Sequence, residues 1–191
     1  MGKPASRSES GRREAIVVAA LDVILEHGTH QTTHRLIAER AGVPLGSLTY
    51  YFDGLTRIIE EAFELLSGRM AALYRDKVQA VSTREGAIDA VVDLICGGNY
   101  AAPRDITGLF EMYAFGNHNA KVWNLCRDWL ATSRESLSLH FQESTTLALD
   151  ALIEGWPMHQ AWEARAADPQ LVRTVVSAIV DRLEPPEPGR P

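Results

Sequence analysis

The sequence lacks any apolar run that approaches the roughly 20 residues needed to span a bilayer. Its first residues, MGKPASRSESGRREA, are charged and polar, so no apolar segment resembles a secretory leader. Cysteine is also scarce, because the chain of 191 residues contains only Cys96 and Cys126. These absences predict a cytoplasmic protein without a membrane partner, whose two thiols stay reduced and pack as small apolar side chains.

The chain also lacks the local motifs of common catalytic and metal sites. It contains no G-x-S-x-G, no H-E-x-x-H and no glycine-rich phosphate loop. His27, His30 and His34 lie close together in the sequence, but no cysteine or carboxylate completes a known zinc spacing around them. We therefore expect no catalytic residues, no metal ion and no cofactor, and a function other than that of an enzyme.

Negative charge exceeds positive charge, and the excess is unevenly distributed. The net charge of the whole chain is −6, which argues against indiscriminate binding of polyanions. Residues 1–57 hold seven Lys/Arg and six Asp/Glu, whereas the remainder holds twelve Lys/Arg and nineteen Asp/Glu. The N-terminal part can therefore approach a phosphate backbone that would repel the rest of the chain.

Alternation typical of strands is absent, and apolar residues instead recur at helical spacing. Ile16, Ala20 and Ile24 form an i, i+4 stripe in the first helix, predicted from about Gly11 to His27. The whole pattern predicts an all-α protein of about nine helices, with an N-terminal three-helix domain followed by a larger helical bundle. Helix caps are predicted at Ser82, Asp105 and Asn117, and Asp168 followed by Pro169 predicts the start of the last helix. The predicted divisions are a flexible N-terminus at 1–10, a first domain at 11–54, a second domain at 55–183 and a disordered tail at 184–191.

The stretch GVPLGSLTYYF lies between two helical patterns and carries several hydroxyls. The preceding helix begins at Thr32 or Thr33 and ends at Gly42, and Pro44 begins a short helix, so the segment has the form of a helix-turn-helix. In that unit the second helix enters the major groove, where bases and phosphates accept short donors and hydroxyls. Leu48 and Phe52 are expected to face inward. The predicted DNA-binding residues are Thr33, His34, Arg35, Arg40, Pro44, Leu45, Gly46, Ser47, Thr49, Tyr50, Tyr51 and Arg57.

The segment TTHRLIAERAGVPLGSLTYYF, following an apolar helix that ends in EHG, resembles the DNA-binding domain of the tetracycline-repressor (TetR) family. The resemblance covers residues 12–63. It departs from the family at Thr49, where a tyrosine is usual, and at Leu55, where a lysine is usual. The resemblance implies a homodimeric transcriptional repressor of double-stranded DNA operators, released when a small molecule binds in the C-terminal domain.

The last two helices offer an apolar surface suited to a four-helix dimer interface. The alternative is that this surface only closes the core of its own chain. The predicted interface residues are Leu147, Ala151, Leu152, Leu171, Val175, Ala178 and Ile179. The ligand implied by the resemblance is expected to be aromatic or lipophilic, because aromatic and methionine residues are prominent in the bundle. The predicted ligand-binding residues are Met70, Tyr74, Cys96, Phe110, Tyr113, His118, Trp123, Asn124 and Arg127.

Two alternatives stay open at this point. A helical enzyme or small-molecule carrier can retain a vestigial helix-turn-helix, and a DNA-binding regulator can act without any ligand. The operator, the effector, the regulated genes and the choice between repression and activation are not encoded in these patterns.

Overall fold

The computed structural model of the chain describes residues 7–97 and 102–185, with side chains from residue 10 onward. Within these ranges the chain forms nine α-helices and no strand, so the predicted all-α class is confirmed. In chain order they are α1 (Arg7–His27), α2 (His34–Ala41), α3 (Leu45–Tyr51), α4 (Leu55–Gln79), α5 (Arg84–Cys96), α6 (Pro103–Gly116), α7 (Ala120–Leu137), α8 (Glu143–Glu163) and α9 (Pro169–Leu183). No helix in the described ranges combines the length and hydropathy that crossing a membrane requires.

The chain divides into two compact units. One unit contains the residues up to Gly68 together with Thr107–Cys126, and the other contains Arg69–Ile106 together with the chain from Arg127 onward. The contacts divide between Gly68 and Arg69, inside α4, whereas the predicted domain boundary between Gly54 and Leu55 lies at the start of that helix. The functional division at that boundary stays a prediction.

The first unit is built on the apolar stripe of α1. Ile16, Ala20 and Ile24 are fully buried, as the i, i+4 spacing predicts. Gly28 ends this helix with a positive φ of 78°, and its N–H donates to the Ile24 carbonyl at 2.8 Å. The carboxylate of Glu111 then accepts the N–H of Thr29 at 2.8 Å, which fixes the turn before α2 to α6.

The second unit has a core formed by α5, α8 and α9. Its fully buried apolar side chains include Val91, Leu94, Leu149, Val172, Val176 and Val180. Asp150 is buried among them and accepts hydrogen bonds from the Ser133 hydroxyl and, at 2.8 Å, from Arg134 Nε. These two donors satisfy the buried carboxylate, which would otherwise be costly to desolvate.

Several helix ends differ from the sequence prediction by a few residues. The first helix begins at Arg7 rather than Gly11, so residues 7–10 of the predicted flexible N-terminus are helical, while residues 1–6 lie outside the described part. The α5 helix is capped by Thr83 rather than Ser82. Glu184, the first residue of the predicted tail, accepts the N–H of Gln142 at 2.6 Å, and residues 186–191 lie outside the described part.

The later helices also begin or end a few residues from the predicted positions. The α6 helix begins at Pro103, so Asp105 lies in its first turn instead of capping it. The N-terminus of α7 is capped by Asn119, whose Oδ1 accepts the Val122 N–H at 2.9 Å, and not by Asn117. The α8 helix continues through a buried Pro157 to Glu163.

Candidate functional site

The turn between α2 and α3 has a geometry that only a few residue types allow. Thr33 caps α2 by accepting the Leu36 N–H at 3.3 Å. Gly42 then adopts the left-handed conformation, with φ 64°. The N–H of Val43 donates to the Ala38 carbonyl at 3.0 Å and that of Gly42 to the Glu39 carbonyl at 3.2 Å, which is a Schellman motif. The motif fixes the direction in which α3 leaves α2.

The α3 helix is anchored by one face and open on the other. Leu48 is fully buried and Phe52 is 4% exposed, as the sequence predicts. The guanidinium of Arg13 lies 4.7 Å from the centre of the Phe52 ring and covers it. On the opposite side Tyr50 is 73% exposed, and Leu45, in the first turn of the helix, is 55% exposed. The short helix therefore presents its remaining side chains outward on a rigid base.

Three hydroxyls on this open face, those of Ser47, Tyr50 and Tyr51, form no hydrogen bond with any residue in the described ranges. The Tyr50 and Tyr51 rings meet edge to face with centroids 4.9 Å apart, which restrains both phenols. Thr49 differs, because its hydroxyl donates to the Gly46 carbonyl at 3.1 Å and keeps only its acceptor capacity. The face thus offers three hydroxyls that can donate and accept, and a fourth, on Thr49, that can only accept.

The predicted cations around this face are mostly paired within the chain. Arg40 forms an ion pair with Glu26, and this hydrogen bond and charge raise the pKa of Arg40 above its ordinary value. Arg57 lies 2.9 Å from a Glu61 oxygen and 3.4 Å from a Glu60 oxygen. Arg35 is exposed and forms no ion pair within the part of the chain that the structure describes. Of the three arginines, only Arg35 forms no ion pair with a described residue.

Arg12 is a cation near α3 that the sequence analysis did not select. It borders a surface cleft with five residues of the predicted interface, Pro44, Gly46, Ser47, Tyr50 and Tyr51. The next residue, Arg13, points inward and forms an ion pair of 2.5 Å with the buried Glu61. Because successive helical residues are about 100° apart, the pair in the sequence GRRE could have been separated into one inward and one outward arginine.

Two further predicted contacts lie at the start of α2. Thr33 is exposed, and its oxygen is engaged by the Leu36 N–H while its own proton stays available. His34 is half-buried, and its Nε2 atom is buried without a partner among the described residues. The Nε2 edge of the ring therefore faces away from solvent. The DNA contact of His34 stays a prediction. Only the other edge of the ring, which carries Nδ1, can make that contact.

The predicted ligand-binding residues have very different exposures. Met70 and Tyr74 are buried, Cys96, Phe110 and Tyr113 are half-buried, and His118, Trp123, Asn124 and Arg127 are exposed. The Tyr74 ring packs against Trp129 with centroids 6.3 Å apart, and burial raises the pKa of its phenol. Burial likewise raises the pKa of the Cys96 thiol, with Asp168 and Asp93 adding to the effect, so the thiol stays neutral. These nine residues stay a predicted pocket.

The predicted dimer residues are not needed to close the core. Leu147 and Leu171 are 45% and 52% exposed, and Ala151 and Ala178 are also exposed. Leu152, Val175 and Ile179 are half-buried. Since other residues of α8 and α9, such as Leu149 and Val176, fill the core, each helix carries a second apolar stripe that faces solvent.

No group of three or more His, Cys, Asp or Glu side chains within the described ranges is placed to hold a metal ion. The histidine cluster at the first corner makes other contacts. The Nε2 of His30 lies 3.1 Å from the side-chain amide nitrogen of Gln31, and His27 Nε2 lies 3.6 Å from Glu26.

Comparisons with known proteins agree with this geometry. A sequence model described as bacterial regulatory proteins, tetR family, matches residues 16–62, which run from α1 into α4. The crystal structure of the proposed transcriptional regulator SCO7518 from Streptomyces coelicolor A3(2) is 36% identical, covers 88% of this chain and 97% of that chain, and superposes with a TM-score of 0.80.

More distant relatives extend over nearly the same length. The HTH-type transcriptional regulator PksA of Bacillus subtilis (strain 168) is 22% identical, and the match covers 90% of this chain and 89% of PksA. The HTH-type transcriptional regulator BetI of Escherichia coli O157:H7 is also 22% identical. That match covers 93% of this chain and 96% of BetI. The multidrug binding protein EbrR complexed with imidazole has a TM-score of 0.75 at 22% identity, covering 93% of this chain and 95% of that chain.

The fold and the open face of α3 together define a helix-turn-helix, DNA-binding transcriptional regulator. The chain belongs to the TetR family of bacterial regulatory proteins.

Proposed function

We propose that the chain acts as a homodimeric repressor that binds its operator through α3 and is released by a small molecule. The DNA-binding part is carried by the hydroxyls of Ser47, Tyr50 and Tyr51, which have no hydrogen-bond partner among the described residues. They lie on a helix that Leu48 and Phe52 anchor. Leu45 lies on the same open face and can contact a thymine methyl group. In this proposal Ser47 and Thr49 read base edges, while the two phenols and Arg12 contact phosphates.

The homodimer is supported by the exposed apolar stripes of α8 and α9. Two copies of this surface, related by a twofold axis, would form a four-helix interface. The pairing also serves the DNA-binding role, because a single helix-turn-helix reads only a few base pairs. Two copies can read half-sites about 34–36 Å apart, which is one turn of DNA. The interface residues in this proposal are those predicted from the sequence.

The small-molecule response is supported by family membership and by the properties of one structural relative. EbrR was solved as a multidrug binding protein with ethidium and with malachite green. In this chain an effector would have to favour the DNA-free state through a coupling free energy of about 1–3 kcal/mol. The sequence favours an aromatic or lipophilic effector that binds in the helical bundle.

A regulator that binds DNA without an effector is the second candidate. It is favoured by the burial of Met70 and Tyr74, which are 2% and 1% exposed and so fill space that a ligand would need. A thermal-shift screen against metabolites separates the two candidates. An effector at a hundred times its Kd would stabilise the fold by about 2.7 kcal/mol, whereas the second candidate shows no stabilisation by any compound.

Binding to the neighbouring intergenic DNA tests the DNA-binding proposal against a carrier or an enzyme with an inactive helix-turn-helix. We expect affinity to fall by about 10³- to 10⁵-fold between 50 and 200 mM salt if six to ten phosphates are contacted. A competitor duplex of unrelated sequence should be bound much more weakly. Equal and weak binding to both duplexes at low salt would contradict the proposal.

A further inference from the structure

A cleft of about 450 Å³ lies in the second unit, and none of the residues predicted to bind a ligand lines it. The start of α6, the last turns of α8 and the loop that follows α8 form its walls. The lining residues used here are Pro103, Ile106, Pro157, Ala161, Ala164 and Arg165. The volume falls within the range of about 300–1,000 Å³ that is typical of small-molecule sites.

The walls of the cleft are held in place by one amide side chain. Gln160 donates from Nε2 to the Ile95 carbonyl at 2.8 Å and accepts the Ala167 N–H through Oε1 at 3.0 Å. Its amide therefore connects the end of α5 to α8 and to the loop after α8. Because each end of the amide makes one of these bonds, Gln160 is held in a fixed orientation where it lines the cleft.

The backbone of this region departs from regular helix at two positions. Pro157 is buried inside α8 and has no N–H, so the helix lacks one of its backbone hydrogen bonds there. At the end of α8, Ala164 adopts a left-handed conformation with φ 49°. Within the described ranges it is the only residue other than glycine with a positive φ. This turn redirects the chain so that Arg165 borders the cleft.

Arg165 supplies the only formal charge in the lining. It is exposed and forms no ion pair with any residue between 7 and 97 or between 102 and 185. The nearby carboxylates of Glu163 and Asp168 border a neighbouring groove with Arg165, but neither forms an ion pair with it. A cation that has no ion-pair partner and lies beside apolar walls complements an anion that has an apolar body.

We propose that this cleft binds a small monocarboxylate, with its carboxylate on the Arg165 guanidinium and its apolar body against Ile106, Pro157 and Ala161. A guanidinium can hold a carboxylate through two parallel hydrogen bonds, which gives both orientation and selection for charge. The carboxylate is the effector in the proposed function, so this inference rests on that function. It replaces the aromatic residues predicted from the sequence with a different site and a different ligand class.

The test measures binding of matched compounds to the full chain by isothermal titration calorimetry. The probes are hexanoate and 3-phenylpropanoate, each compared with its own neutral amide. We expect at least one carboxylate to bind about tenfold or more tightly than its amide, because only the charged form gains the charge-assisted contact. If neither carboxylate binds at millimolar concentration, or if amides bind equally well, the proposal is overturned.

Variants locate the site. Arg165→Gln should weaken carboxylate binding by about tenfold or more and leave amide binding unchanged, since only the charged contact is lost. Ala161→Trp, at an exposed position in the lining, should abolish binding of both carboxylate and amide by filling the cleft. Arg127→Gln is the matched control, because Arg127 is an exposed arginine of the pocket predicted from the sequence. Loss of binding in Arg127→Gln and not in Arg165→Gln would overturn the cleft in favour of that pocket.

Operator binding is measured separately in the same variants. If a carboxylate binds through Arg165 but does not change operator affinity, the cleft is supported and the effector role in the proposed function fails. If a carboxylate releases the operator equally well from wild type and from Arg165→Gln, the proposed function is supported and the cleft is overturned. The two failures are therefore distinguishable.

Discussion

At the scale of single residues, neither packing nor backbone conformation in the described part of the chain requires glycine at position 46. A Cβ built at this position meets no heavy atom within 4 Å, and its φ is not positive. We predict that Gly46→Ala raises the free energy of unfolding by up to about 1 kcal/mol, because alanine favours a helix. The added methyl group should weaken operator binding by about 1–3 kcal/mol by keeping the α3 backbone from the DNA. Urea denaturation and fluorescence anisotropy measure the two effects.

Gly68 provides the matched control for this prediction. It is an exposed helical glycine in α4, and a Cβ there also meets nothing within 4 Å. Gly68→Ala should give a similar gain in stability and no change in operator affinity. Equal operator affinity for Gly46→Ala and wild type would mean that the α3 backbone does not approach DNA closely.

The two adjacent arginines of α1 are predicted to have separate effects. Arg12→Gln should leave stability unchanged and weaken binding to all duplexes alike, with a shallower salt dependence, because it removes one phosphate contact. Arg13→Gln should lower the free energy of unfolding by about 1–2 kcal/mol, since Glu61, whose side chain is 8% exposed, loses a charged partner. Urea denaturation and anisotropy titrations at several salt concentrations separate the two. A destabilised Arg12→Gln with an unchanged salt slope would contradict this assignment.

At the scale of elements, α6 packs closely on its neighbours in the first unit at Gly108. A Cβ at this position would lie 2.5 Å from Leu25 Cδ2 and 2.8 Å from Leu66 Cδ2. We predict that Gly108→Ala lowers the free energy of unfolding by about 1–3 kcal/mol, because the core cannot take the extra methyl group without shifting. Thermal or urea denaturation provides the measurement. An unchanged midpoint would mean that α6 does not pack at this distance.

The elements themselves were largely predictable from the sequence, and their ends were less so. The α2 cap at Thr33, the glycine turn and the Asp168–Pro169 start of α9 are local signals, and all three are confirmed. The continuation of α8 through Pro157 was not predictable, because proline usually ends a helix and here tertiary packing overrides that preference. The start of α7 was missed because two asparagines compete, and the structure uses Asn119.

The parts of the candidate site that depend on helical periodicity were predictable from the sequence. The ion pairs between residues of different helices were not. The inward position of Leu48 and Phe52 follows from their i, i+4 spacing. The pairing of Arg40 with Glu26 joins two helices, so local spacing does not reveal it. Arg57 and Glu61 are four residues apart on α4, and their pairing could have been predicted from the sequence. Arg12 was not predicted to contact DNA. Its exposed position became clear only because the structure shows that Arg13 is the arginine that points inward, to Glu61.

At the scale of the whole molecule, the exposed stripes of α8 and α9 predict self-association. Leu147→Glu together with Leu171→Glu should convert a dimer into a monomer, because two charges per chain would be buried in the interface. Leu139→Glu is the control, since Leu139 is 59% exposed and lies outside both stripes. Sedimentation velocity gives the oligomeric state directly. A wild-type monomer, or a double variant that stays dimeric, would contradict the proposed interface.

The central claim is that the open face of α3 contacts DNA through its free hydroxyls. The most direct measurement is fluorescence anisotropy of an intergenic duplex titrated with wild type and with a Ser47→Ala, Tyr50→Phe, Tyr51→Phe triple variant. These substitutions remove three hydroxyls that have no partner among the described residues, so the fold and its melting temperature should be unchanged. At about 1 kcal/mol per hydrogen bond, the account predicts a loss of operator affinity of about a hundredfold. Equal affinity of the folded triple variant and wild type would contradict it.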